Sequence, residues 1–142
     1  MFCDIASGRT AAHVVAQSRA LLAVADPAPI RPGHLQVLPR AHHDSFDTLP
    51  PALAAQIVKL GQRLAQAQKA EFGVARVAFV FTGCDVAHAH AHLVPMHAGT
   101  DITSARYIAG ETPRFAQLPL ASAAALRGTA QALRARLEGA MA

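Results

Sequence analysis

Three histidines recur at strict period two, as His88-Ala89-His90-Ala91-His92, and the chain holds eight histidines in all. In an extended strand alternate side chains share one face, with successive same-face positions roughly 6.5–7 Å apart. The spacing therefore places all three imidazoles on one face and leaves the alanines, which are small, on the other. Two chemistries suit such a row. Imidazoles on a strand can ligate a metal, with Asp85, His34, His42, His43 and His97 as further donors. Alternatively, a neutral imidazole is a nucleophile toward phosphorus near neutral pH, and its neighbours can move protons or stabilise charge on phosphoryl oxygens. Spacing alone leaves both open.

The elements that must position this row can be read from periodicity. Residues 14–17 and 20–25 form two short apolar runs around Ser18-Arg19, which predicts two strands and a tight turn. Three prolines and a glycine in residues 26–33 predict an ordered loop, and residues 34–38 a strand ending at Pro39. Leu53, Ile57, Leu60 and Leu64 draw one apolar stripe, predicting a helix over 50–72 that starts at Pro50-Pro51 and stops at Gly73. Residues 74–82 and 87–96 read as two further strands. Leu126, Ala130, Leu133 and Leu137 predict a final helix. Short connections favour antiparallel pairing, so the expected fold is α+β: an antiparallel sheet of about five strands, one long helix packed on it, and a C-terminal helical extension. The expected division is residues 1–97 as the catalytic part and 98–142 as the extension.

Composition narrows the class. The chain has 142 residues, 52% of them hydrophobic and 15% charged, against a usual charged share of roughly 25%. Disorder is excluded on that balance. No run approaches the roughly 18 apolar residues of a membrane span, and Met1-Phe2-Cys3-Asp4 does not open a secretory leader, so a cytoplasmic protein without membrane contact is expected. Thirteen basic residues against nine acidic ones leave a net charge of +4. The arginines are scattered, not gathered into a stripe, which argues against nucleic acid and is compatible with a small polyanion. Cys3 and Cys84 are too few for a disulfide framework.

His88-Ala89-His90-Ala91-His92-Leu93-Val94 resembles the signature of the histidine triad (HIT) family, His-φ-His-φ-His-φ-φ with φ apolar. Three other blocks agree in order and spacing. Phe2-Cys3-Asp4-Ile5-Ala6-Ser7-Gly8 is similar to the family's opening. Leu22-Ala23-Val24-Ala25-Asp26-Pro27-Ala28-Pro29 resembles its nucleoside-binding segment. Pro32-Gly33-His34-Leu35-Gln36-Val37-Leu38-Pro39-Arg40-Ala41-His42 resembles its next strand.

The resemblance implies a homodimeric enzyme that cleaves nucleoside phosphoramidates or dinucleoside polyphosphates at the α-phosphorus through a covalent nucleotidyl-histidine. By motif position His90 is the implied nucleophile. His88 and His92 hold the phosphate and assist the leaving group, and His34 supports the triad. Asp26 is implied to bind the ribose hydroxyls, with Phe2, Ile5 and Val24 as the wall against the base. The alternatives are a nucleotide-binding regulatory protein without turnover and a metal-binding protein using the triad.

Two departures carry expectations of their own. Cys3 has no cysteine three residues before it, so neither a structural zinc nor any other cofactor is expected. The loop Phe81-Thr82-Gly83-Cys84-Asp85 is shorter than the family's glycine-rich loop and places Asp85 beside the substrate. There an ionised carboxylate would repel phosphate unless protonated, paired or bridged by a cation, or would instead orient a histidine.

Overall fold

The computed structural model describes residues 1–82, 86–99, 101–102 and 118–139. In chain order the elements are α1 (Phe2–Ala6), β1 (Val14–Gln17), β2 (Leu21–Ala25), β3 (Leu35–Pro39), α2 (Pro51–Phe72), β4 (Arg76–Phe81), β5 (Ala91–Met96) and α3 (Ala123–Gly139), with a 3₁₀ turn at Phe46–Thr48 before α2. The strands form one antiparallel sheet in the order β1-β2-β3-β5-β4. The α+β expectation holds, and the strand and helix limits shift by one or two residues except at β5.

Period-two alternation divides the sheet's residues between two layers. Ala23, Ala25, Leu35, Val37, Ala91 and Leu93 face one way and pack with Ile57 and Leu64 of α2 and Leu133 of α3. Leu22, Val24 and Leu38 face the other way and are covered by Phe2, Ile5 and Ala6 of α1. Each large aliphatic side chain so buried contributes on the order of 1.5–3 kcal/mol. The helix α2 approaches β4 closely at Gly61, where a Cβ would lie 2.3 Å from the Phe79 ring. A larger residue there would push helix and strand apart.

Gln68, also on the sheet-facing side of α2, is fully buried; its Nε2 donates to the carbonyls of Gly33 (2.7 Å) and Leu93 (3.1 Å). One amide thus fixes the start of β3 against β5. The C-terminal helix packs on α2, β1 and β2 of the same chain, with Arg136 paired to Glu71 at 3.0 Å. Just before it, the Ala121 N–H donates to the Pro27 carbonyl at 2.9 Å, tying this segment to the proline-rich loop.

The predicted strand over 87–96 requires correction: β5 begins at Ala91. Residues before it spend their backbone groups otherwise. The His88 N–H donates to the Val86 carbonyl (2.8 Å) and the Ala89 N–H to the His43 carbonyl (2.6 Å). The alternation nevertheless persists, since Ala89 and Ala91 both pack into the α2-side core.

Candidate active site

Sheet register sets a row across the face opposite α2. Val14 pairs with Val24, Val24 with Gln36, Gln36 with His92, and His92 with Val80. Asp26 follows β2 and His34 precedes β3. The loop between them is closed by the Asp26 N–H on the His34 carbonyl at 2.9 Å. Gly33 makes this corner possible: its φ is +90°, and a Cβ would sit 2.2 Å from the Phe72 ring. Both facts exclude other residues there.

Hydrogen-bond partners fix the imidazole tautomers. His90 Nδ1 lies 2.7 Å from the His88 carbonyl, which can only accept, so the proton is on Nδ1 and the Nε2 lone pair is free. His34 Nδ1 accepts the Ile30 N–H (3.3 Å), so its Nε2 carries the proton and donates to His92 Nδ1 at 2.9 Å. That leaves His92 with its proton on Nε2. The His90 and His92 rings meet at 4.8 Å, and Phe2 lies 4.8 Å from His90 on the other side.

Burial favours the neutral form of His34, His92 and His88. It pushes His34 down to about 4, against the partial opposition of Asp26. His92 is also lowered, first by burial and then by His90, with Asp26 opposing. His88 is lowered by burial as well, its bond to the Pro39 carbonyl (2.9 Å) opposing.

Asp26 is buried and its acceptors are oriented. Oδ1 takes the Ala28 N–H at 2.8 Å, and Oδ2 takes Gln36 Nε2 at 2.8 Å. Oδ2 stands 3.5 Å from His34 Nδ1 and 3.9 Å from His92 Nδ1. Of the three cavities that Asp26 lines among the described residues, the two larger ones concern the histidines and the α1 side. The first, about 420 Å³, is walled by Phe2, Ile5, His13, Val24, Asp26 and Gln36, with Leu126 of α3 at its side. The second, about 370 Å³, is walled by Asp26, Ile30, His34, Val80, His92 and Leu118. His90 is 6% exposed and stands between Phe2 of the first and His92 of the second.

The structure thus brings together Phe2, Ile5, Val24, Asp26, His34, His90 and His92. His88 meets Phe2 edge-on, with ring centroids 5.9 Å apart, but its nitrogens are engaged elsewhere. Its Nε2 is bound to Pro39, and its Nδ1 faces Cys3 Sγ at 3.4 Å, while His42 Nδ1 faces the same sulfur at 3.3 Å. His42 is in turn fixed by Asp44 at 2.8 Å. Cys3, His42 and His88 therefore point three donor atoms at one place. Asp26, His34 and His92 also converge, but they are already spent on one another and on Gln36. Asp85 and Cys84 lie outside the described residues. Sequence reasoning missed Gln36, whose signal was a polar residue at the period-two position shared with His34. It also missed the grouping of Cys3 with His42, which nothing local announces.

A five-stranded antiparallel sheet with a histidine row on the face opposite its long helix defines a histidine triad domain. The HIT domain family matches residues 7–99, and the chain belongs to that family. It is 32% identical over 101 residues to an uncharacterised HIT-like protein of Saccharolobus solfataricus, covering 67% of this chain and 72% of that one. A zinc-bound histidine triad family protein from Mycobacterium smegmatis superposes with a TM-score of 0.75 at 23% identity, over 99% of this chain and 94% of its own. A HIT family hydrolase from Legionella pneumophila gives a TM-score of 0.59 at 29% identity, over 66% and 89%. Among the described residues no helix is long and apolar enough to cross a membrane.

Proposed function

We propose that this chain is a nucleotide hydrolase or transferase that cleaves nucleoside phosphoramidates or dinucleoside polyphosphates at the α-phosphorus. The observation that carries the reading is the state of His90, whose Nδ1–H is held by the His88 carbonyl so that Nε2 offers its lone pair. The base lies against Phe2, Ile5 and Val24, and the sugar hydroxyls meet Asp26. His90 Nε2 attacks phosphorus, and the P–N or P–O bond to the leaving group breaks as the Nε2–P bond forms. The leaving group takes a proton from Nε2 of protonated His92; in that state His92 Nδ1–H donates to His34 Nε2, the His34 proton having moved to Nδ1, which faces Asp26 Oδ2 at 3.5 Å. A bound phosphate anion favours that charged form, opposing the burial that disfavours it, and Asp26 at 3.9 Å assists. Water then attacks phosphorus, the bond to His90 breaks, and the water's proton returns to His92. His34 Nε2, facing His92 Nδ1 at 2.9 Å, orients the His92 ring, and His88 supplies the carbonyl that orients His90.

Several wider assignments belong to the same reading. Asp85 acts on substrate preference. The protein works in the cytoplasm as a homodimer; among the described residues β4 is an edge strand of the sheet, and its outer edge is where a second copy would pair. No nucleic acid or membrane takes part.

The test is a mixing experiment with adenosine 5′-phosphoramidate and diadenosine tetraphosphate, quenched in alkaline denaturant and read by mass spectrometry. A nucleotidyl adduct on His90, absent in His90→Ala, is expected. A protein that binds these nucleotides without adduct or turnover is the regulatory alternative.

A zinc ion is a second element of the reading, on a specific observation. Zinc bonds of about 2.3 Å to sulfur and 2.0–2.1 Å to nitrogen place tetrahedral S and N ligands roughly 3.5 Å apart. The observed separations from Cys3 Sγ to the two ring nitrogens, 3.3 and 3.4 Å, match that edge. One thiol proton, moreover, cannot satisfy two facing lone pairs. Cys3, His42 and His88 would hold the ion, which would anchor α1 to the triad's first residue and supply no chemistry to the substrate.

A further inference from the structure

Gln36 stands on the substrate face one strand away from His92 and is joined to Asp26, in the wall of the 420 Å³ cavity. Its amide orientation is dictated by its partner. A carboxylate accepts only, so the NH₂ end must face Asp26, and the Oε1 end is left over. Among the described residues Oε1 makes no hydrogen bond.

Three acceptors stand together on this part of the wall, Asp26 Oδ1, Asp26 Oδ2 and Gln36 Oε1, with the second N–H of Gln36 as the donor beside them. A phosphate, itself an acceptor, is repelled here and is directed to the imidazoles. A pair of vicinal hydroxyls, each with a proton to give, is what such a surface takes. Neighbouring strands lie about 4.8 Å apart. A sugar held over Gln36 thus leaves its 5′-phosphate within reach of the histidines one strand further on.

We propose that Gln36 reads the sugar, accepting one ribose hydroxyl on Oε1 while its Nε2 holds Asp26 to accept the other, so that it sets the preference for ribonucleotides over deoxyribonucleotides. This rests on the nucleotide reading of the site and goes beyond it in naming the residue that discriminates. Asp26 anchored through Oδ1 alone, by the Ala28 N–H, would hold a hydroxyl on Oδ2 less firmly. A hydrogen bond to a charged acceptor is worth roughly ten- to a hundredfold in affinity.

The experiment is calorimetric titration with adenosine 5′-monophosphate and its 2′-deoxy and 3′-deoxy counterparts. It uses wild type, Gln36→Leu and Gln36→Glu, each first checked for an unchanged far-UV spectrum. Wild type is expected to favour the ribonucleotide at least tenfold. In Gln36→Leu that ratio should fall to within about threefold through loss of ribonucleotide affinity, with deoxynucleotide affinity nearly unchanged. With adenosine 5′-phosphoramidate the loss should fall on KM and leave kcat within about threefold.

Gln36→Glu gives a readout that a packing role would not move. Protonated, its carboxyl presents O–H to Asp26 and C=O to the sugar, as the amide does. Ionised, it faces a second carboxylate. Its ribonucleotide preference, normalised to wild type at each pH so that Asp26, His13, His34 and His92 cancel, should be present near pH 5 and vanish by pH 7.5. A wild-type ratio retained in Gln36→Leu overturns the inference and leaves the nucleotide reading standing. Wild type that binds none of the three probes overturns both.

Discussion

Burial of His34 makes the fold acid-labile in a defined window. The unfolded chain protonates this imidazole near 6.5, whereas the folded one does so at about 4, because burial removes the charged form from water and Asp26 recovers only part of the loss. Between those values the unfolded chain binds more protons, so stability rises with pH. The contribution is complete above about pH 6.5 and is lost as the pH falls to about 4. At about 1.4 kcal/mol for each tenfold difference in proton affinity, the loss is roughly 3 kcal/mol. His88 and His92 are lowered in the same direction and add to the trend. Asp101, held at about 2 by Arg31, acts only below this window.

The assay is urea unfolding followed by far-UV circular dichroism at pH 7.0, 5.5 and 4.5, on wild type and His34→Gln. Gln keeps a donor for His92 and does not titrate. Its baseline stability will differ, so the comparison is of the two pH slopes. Wild type should lose roughly 2 kcal/mol more than the variant between pH 7.0 and 4.5, most of the full effect. Parallel losses would refute the assignment of the acid window to this residue.

Three other substitutions test the framework around the site. Gly33→Ala should cost about 2–4 kcal/mol in denaturant unfolding, from the left-handed backbone and the clash with Phe72 together; a Phe72→Leu background should recover part of it. Gln68→Leu leaves the Gly33 and Leu93 carbonyls without their donor and should cost about 2–3 kcal/mol, read by the same titration. Wild type expressed with zinc should hold close to one ion per chain by elemental analysis, and Cys3→Ser should hold far less. A metal-free wild type would remove zinc from the account.

Much of the framework was legible because it repeats. Leu53, Ile57, Leu60 and Leu64 mark α2 with a period no strand shares, and Ser18 between two apolar runs marks the first hairpin, where its Oγ accepts the Ala20 and Leu21 N–H groups. Of the candidate site, Asp26 was reached through the resemblance of its segment, and its turn bond to Ala28 shows that one carboxylate can both shape a loop and face a cavity. What stayed hidden depends on contacts distant in sequence. The five residues of α1 are too few to show a period, and they are helical under the cover of Leu22, Val24 and Leu38. The tie from Ala121 to Pro27 spans most of the chain and leaves no local trace. Cys3 meets His42 and His88 only because α1 lies on the sheet.

The departure of residues 86–90 from a regular strand bears directly on the chemistry. In an antiparallel ladder carbonyls point sideways to the neighbouring strand and are committed there. Had β5 begun at residue 87, the His88 carbonyl would have been spent in that way, and His90 would have had no acceptor for its Nδ1 proton. Its tautomer would then have been free to invert, placing the proton on Nε2. Instead the Ala89 N–H is drawn to His43, the His88 carbonyl turns toward the ring two residues on, and Nδ1 is held at 2.7 Å. Period two in the sequence ensures that the histidines share a face. It is the break in the ladder that fixes which nitrogen of the middle one can form a bond to phosphorus.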